Sequence, residues 1–287
     1  MSGRRSIAPR DGVLLIDGPM GTELGARGVA LPAPGWSAAA LDEAPEVVAA
    51  IHRDYAAAGA LVHTANTFRT KRRTYPDRWR DLTARAVAIA RQSVPTGQAV
   101  AGSVAPLEDC YSPWLSPPDP GPEHAELAEA LVDAGVDLLL CETFPHVGEG
   151  LAALDAAVAT GVETWVAFTA GPSADLLSPA EIAAAGREAA RRGASAVLVN
   201  CIPANIVLSY IKQLSDLPIP IGCYANAGRA EDGLGWEHAR PDAPARYADL
   251  AEAWVRAGAT IIGGCCGTTP RHVSALRVRF PRPDTPS

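Results

Sequence analysis

Eight short apolar runs, many of them β-branched, recur along the chain: VLLIDG (13–18), ALVHTANTF (60–68), AVAGSV (99–104), VDLLLCET (136–143), TWVAFTA (164–170), AVLVNC (196–201), IPIGCYAN (219–226) and ATIIGGCC (259–266). They are apolar at nearly every position rather than at alternate ones, as a parallel sheet covered on both faces requires. Alanine-rich segments of helical period separate them, from PEVVAAIHRDYAAAG to ARYADLAEAWVRAG. Gly59, Gly135, Gly193 and Gly258 follow four of these segments where a helix C′ glycine belongs. The short segment PRHVSALRVRF supplies a closing helix. Strict strand and helix alternation over 287 residues predicts an α/β fold, a single-domain (β/α)8 TIM barrel, which typically needs about 250 residues. An open doubly wound sheet is the alternative, but no GxGxxG follows the first strand to favour a dinucleotide site. The barrel is expected over residues 11–280, with flexible tails at 1–10 and 281–287.

A net charge of −7 and a pI near 5.4 argue against general affinity for nucleic acid or anionic membrane. The stretch RTKRRTYPDRWR, from Arg69 to Arg80, departs from this with six cations and one acid. It reads as a solvated helix face, with local attraction of an anionic substrate as the functional alternative. No apolar run approaches the roughly 20 residues that span a bilayer, and MSGRRSIAPR lacks the apolar core of a signal peptide. A cytoplasmic protein is the expectation, and in that setting the six cysteines serve as thiols rather than disulfides. Oligomeric state is not legible.

Active groups of a barrel of this kind gather at the C-terminal ends of its strands. Asp17, Glu142, Asn200, Cys201, Asn226, Cys265 and Cys266 all fall there. Only one strand separates the sixth from the eighth, so Cys201, Cys265 and Cys266 can converge above the barrel as a soft Zn²⁺ site with one tetrahedral position left for substrate. Adjacent cysteines on a regular strand would point to opposite faces, and Gly263, Gly264 and Gly267 provide the freedom to depart from the pleat. Cys110, Cys141 and Cys223 read as buried structural residues, and His63 and His146 as hydrogen-bonded structure.

The segments DGPMGTEL (17–24), WSAAAL (36–41), TANTF (64–68), AGSVAP (101–106), GVDLLLCET (135–143), VNC (199–201), YANAG (224–228) and GGCCGTTPRHV (263–273) resemble, in order, those of the homocysteine S-methyltransferase family. The resemblance implies a zinc-dependent methyltransferase. Cys201, Cys265 and Cys266 would be the zinc ligands, Asp17 and Glu142 would hold the amino acid, and the substrate thiolate itself would be the nucleophile. Met20, Gly21 and Thr22 are read as shaping the first loop, with Thr22 donating to substrate, and Asn200 and Asn226 as orienting groups. The compact length is similar to members that use S-methylmethionine or S-adenosylmethionine. Trp36 and Trp114 are the aromatic candidates for contact with such a sulfonium cation, although packing against the barrel rim suits Trp114 better. The expected partners are therefore homocysteine and a sulfonium donor, with methionine as product. Another thiol or selenol acceptor such as selenocysteine, or a non-catalytic zinc and thiol-metabolite binder, are the alternatives. The sequence departs from the family pattern after AGSVAP, within YANAG, and after TANTF, where RTKRR follows.

Overall fold

The computed structural model of the chain describes residues 6–9, 12–227 and 241–281. Its strands are β1 (Leu14–Leu15), β2 (Val62–Thr64), β3 (Ala99–Val104), β4 (Leu138–Phe144), β5 (Glu163–Phe168), β6 (Ala196–Pro203), β7 (Ile221–Asn226) and β8 (Ala259–Gly264). All pair in parallel, in the order β1-β8-β7-β6-β5-β4-β3-β2. A bridge between Ile16 and Val62 joins the two ends of that order. The Leu61 and Asp17 amides donate to the Leu15 and Val62 carbonyls at 2.9 and 3.1 Å, and these bonds bring the two end strands together into a nearly closed barrel.

The helices surround it: α1 (Met20–Ala26), α2 (Ala40–Glu43), α3 (Pro45–Ala58), α4 (Trp79–Ser93), α5 (Gly121–Asp133), α6 (Val147–Ala159), α7 (Pro179–Arg191), α8 (Val207–Leu214), α9 (Ala243–Arg256) and α10 (Pro270–Arg279). Local chemistry sets their limits. Ser178 caps α7 in a reciprocal box with Glu181, and Pro179 opens the helix where its missing N–H costs nothing. The four glycines expected after helices adopt φ from 90 to 115°, a region open to glycine and costly for a residue with a Cβ.

Alternation along the strands builds two layers. Leu138, Leu140, Trp165, Ala167, Leu198 and Ile261 point inward and fill the barrel. Their neighbours Leu139, Val166, Val197 and Ile262 point outward into a larger core against the helices. At the lower end the Glu163 carboxylate accepts from the Ile7 and Ala8 amides at 2.7 and 2.9 Å and from Trp165 Nε1 at 2.8 Å. Residues 6–9, expected to belong to a tail, thus include a docked plug, with Ala8 buried. Residues 1–5, Arg10 and 282–287 of the expected tails, Asp11 and residues 228–240 of the expected barrel, and with them Gly228 of YANAG, lie outside the described residues. No helix among those described is long and apolar enough to cross a membrane.

Candidate metal centre and substrate pocket

By simple alternation after Ala196 and Leu198, Asn200 would face into the barrel and Cys201 away from it. The structure reverses this. The register of β6 against β7 shifts between Asn200 and Pro203, and Cys201 adopts φ 52°, which brings it into the inner layer. A non-glycine residue in that region costs about 1–3 kcal/mol and persists only where its surroundings hold it. Here they do: Asn200 Nδ2 donates to Thr143 Oγ1 at 2.7 Å and lies 3.5 Å from Cys201 Sγ, while Asn200 Oδ1 accepts from the Thr143 amide at 3.2 Å.

Cys265 and Cys266 follow the last pleated residue of β8. The Cys265 amide donates to the Ala225 carbonyl at 2.7 Å, the Cys265 carbonyl accepts from Thr268, and the Cys266 carbonyl accepts from the Ala227 amide at 2.9 Å. The turn continues through Gly267 at φ 78°, whose amide donates to Thr22 Oγ1 at 3.2 Å. The adjacent cysteines can share a target because regular pleating ends at Gly264.

The sulfurs of Cys201, Cys265 and Cys266 lie within 4.8 Å of one another. Tetrahedral Zn²⁺ with Zn–S bonds near 2.3 Å spaces its sulfurs about 3.8 Å apart, so the donor set fits this metal in spacing and in softness. Cys201 and Cys265 are in disulfide contact and Cys266 is a free thiol, so three thiolates require the reduced form. Burial pushes the Cys266 thiol up to about 11, and a cation is what would ionise it near neutral pH.

Two buried carboxylates share the space. Asp17, just past β1, accepts from the Thr64 amide at 2.8 Å and from Thr64 Oγ1 at 3.1 Å. Glu142, on the inward face of β4, accepts from Ser103 Oγ and from the Tyr224 hydroxyl at 3.1 Å. Burial raises Asp17 to about 8 against the pull of the Thr64 bonds, and the neighbouring Glu142 raises it further. Burial likewise raises Glu142 above the usual carboxylate range, opposed by its two hydroxyl donors. Neither has a cationic partner among the described residues, so the pair is electrostatically incomplete and suited to an ammonium.

Carboxylates and cysteines open into a cavity of about 690 Å³ walled by Met20, Gly21, Thr22, Trp36, Phe68 and Tyr111, among others. Ser37 and Asn66 tie the Trp36 loop to the end of β2 through two hydrogen bonds of 2.8 Å. The Trp36 ring meets Phe68 edge to face at 6.1 Å between centroids and lies so close over Gly21 that any Cβ there would collide with it.

The homocysteine S-methyltransferase family model matches residues 14–280. The chain belongs to the homocysteine S-methyltransferase family. It is 32% identical to homocysteine S-methyltransferase of Escherichia coli, over 96% of this chain and 97% of that protein. It is 29% identical to a selenocysteine methyltransferase of Astragalus bisulcatus, over 91% and 90% of the two chains. Among solved structures, the metallated form of the E. coli homocysteine methyltransferase MmuM superposes with a TM-score of 0.78 at 29% identity, covering 94% of this chain and 97% of that one.

Within this family member, Asp17, Met20, Gly21, Thr22, Trp36, Glu142, Cys201, Cys265 and Cys266 all line the one cavity. Asn200 and Asn226, read from the sequence as orienting substrate, do not line it. Asn200 is fully buried behind Cys201, its amide committed to Thr143, and Asn226 is buried with neither side-chain atom partnered among the described residues. Trp114 is 76% exposed and does not line the cavity. Cys110, read as structural, borders the cavity, whereas Cys141 and Cys223 lie in the outer core. His63 Nε2 pairs with Gln98 at 2.7 Å, and His146 caps α6 by accepting from the Glu149 amide.

Thr64, Ser103 and Tyr224 do not stand out in the sequence, yet they hold the two carboxylates. Each sits inside a quoted motif and on the inward parity of its strand, a signal that alternation alone offered. The Arg69–Arg80 stretch is a series of turns up to α4 rather than a helix face, and Lys71 within it is buried, donating to the Pro106 carbonyl.

Proposed function

We propose that this protein transfers a methyl group from a sulfonium donor, S-methylmethionine or S-adenosylmethionine, to the thiol of homocysteine, giving methionine. Cys201, Cys265 and Cys266 would hold Zn²⁺. Bound there, the ion would lower the pKa of the incoming thiol, ordinarily near 8.5, so that its sulfur is nucleophilic at neutral pH. The observation that carries the reading is the meeting of three cysteine sulfurs with two buried carboxylates that lack a cation.

The chain's own groups bind and orient. Asp17 and Glu142 receive the ammonium of the acceptor, Asp17 aimed by Thr64 and Glu142 by Ser103 and Tyr224. Trp36 and Phe68 present aromatic surface to the sulfonium, an attraction of about 0.5–2 kcal/mol for each well-placed ring. Met20, Gly21 and Thr22 close the first wall. With both substrates held, the acceptor sulfur forms a bond to the methyl carbon as the donor's methyl–sulfur bond breaks, and the donor leaves as a neutral thioether. Approach and alignment supply the remaining rate enhancement. A reducing compartment such as the cytoplasm suits a centre that needs three free thiols.

The test uses reduced, zinc-loaded protein with homocysteine and donors carrying distinguishable methyl isotopes, read by mass spectrometry of the methionine formed. Label from one sulfonium donor is the expected result. No labelled methionine with zinc confirmed present would refute the reading. The Astragalus bisulcatus relative favours one second reading, a selenol acceptor. Competition between selenocysteine and homocysteine for labelled methyl separates the two.

A further inference from the structure

The cations of the Arg69–Arg80 stretch divide by partner. Arg72, Arg73 and Arg78 pair with carboxylates at the surface, Lys71 donates to a carbonyl, and Arg80 lies 4.3 Å over the Trp79 ring. Arg69 differs from all of them. It lines the cavity, its Nε is buried without a hydrogen-bond partner, and it forms no ion pair among the described residues. Its guanidinium stands over the Phe68 ring at 5.6 Å. Asp109, also at the cavity, forms no ion pair with it, and its Oδ1 accepts from the Tyr111 amide at 2.7 Å.

Arg69 is the one cationic side chain among the described residues of the cavity wall. A sulfonium bearing no anion would be repelled by it, whereas a sulfonium amino acid brings a carboxylate that matches the guanidinium fork. The carboxylate of the donor suits this position better than that of the acceptor. Arg69 follows Phe68 directly, on the side of the aromatic pair that faces the sulfonium in the proposed reaction, and its charge is felt at Cys110 and Lys71. We propose that Arg69 binds the carboxylate of the methyl donor and so restricts the donor to sulfonium amino acids. This deepens the methyl-transfer reading and rests on it.

Two measurements on reduced, zinc-loaded protein test the assignment. The first compares kcat/KM for S-methylmethionine and for trimethylsulfonium, a donor without a carboxylate, in the wild type, Arg69→Gln and Arg69→Lys. The ratio of the two should fall about 10- to 100-fold in Arg69→Gln, the effect of losing a charge-assisted pair, and recover in part in Arg69→Lys. An unchanged ratio, or a rise in KM for homocysteine in place of the donor, overturns the proposal. The second needs no turnover: calorimetric titration with S-methylmethionine and with its carboxamide. The wild type should prefer the free acid tenfold or more, and Arg69→Gln should lose that preference. Equal affinities in the wild type overturn the assignment even if Arg69→Gln fails to fold. Because binding is read separately from reaction, failure of Arg69 as an anchor and failure of methyl transfer give different results.

Discussion

The charge state of Asp17 should govern how tightly the acceptor's ammonium binds. Its carboxyl is raised by burial from 3.8 to about 8, so at pH 7 the ligand-free site is mostly protonated, with only about one site in ten ionised. An ammonium is held by the ionised form. The apparent dissociation constant therefore exceeds its limiting value by the reciprocal of the ionised fraction, about 100-fold at pH 6, about 11-fold at pH 7 and about twofold at pH 8. The sign follows from the direction of the shift: a raised carboxyl pKa makes binding improve as pH rises toward 8 and then level off. Methionine is the ligand to use, since it carries the same ammonium and carboxylate as homocysteine but no thiol to titrate across the same range.

Calorimetric titration of methionine between pH 6 and 8.5, in buffers of different ionisation enthalpy, should show this slope together with release of close to one proton per ligand at pH 6–7. Asp17→Asn keeps the shape and a carbonyl to accept from Thr64, but removes the charge. It should bind about 10- to 100-fold more weakly at pH 8, the worth of a hydrogen bond to a charged group, and should lose most of the slope. An affinity independent of pH from 6 to 8 in the wild type, or a full slope surviving in Asp17→Asn, would refute the role assigned to this carboxylate.

The same shift has a consequence for folding. A carboxyl whose folded pKa lies above its unfolded value gives up stability as pH rises from about 4 to about 8, so the melting temperature of ligand-free Asp17→Asn relative to wild type should be higher at pH 8 than at pH 6. Cys266→Ser removes one of three soft ligands, and plasma emission should find zinc content and turnover both lost; full activity without metal would contradict the site. Tyr224→Phe takes away the hydroxyl that donates to Glu142 at 3.1 Å, and a rise of about 5- to 30-fold in KM for homocysteine with a smaller change in kcat is expected from steady-state kinetics. Trp165→Ala empties the centre of the inner layer and should cost about 3–5 kcal/mol in urea unfolding, an effect on the fold rather than on the site.

The barrel was legible because its cause is local and repeated. Each strand is apolar on both faces and each helix is followed by a chain reversal, and the structure keeps both features down to the positive φ at Gly59, Gly135, Gly193 and Gly258. The site was legible only where strand ends could be located from the pattern, and the exceptions have physical reasons. Asn200 and Cys201 are adjacent, and period-two reasoning assigns the inward face to Asn200. A register shift and one left-handed residue exchange their roles, so that Asn200 becomes the support and Cys201 the sulfur that lines the cavity. Neither event leaves a mark in composition. Thr143, the residue Asn200 holds, is itself at φ 62° beside the irregularity in β4, so two strands depart from regularity where they meet. Regular pleating would alternate side chains too evenly to gather three sulfurs and two carboxylates around one cavity. The departures from the strand rule therefore occur where the chemistry is concentrated, while Thr64, Ser103 and Tyr224, which obey the rule, serve to hold the carboxylates in place.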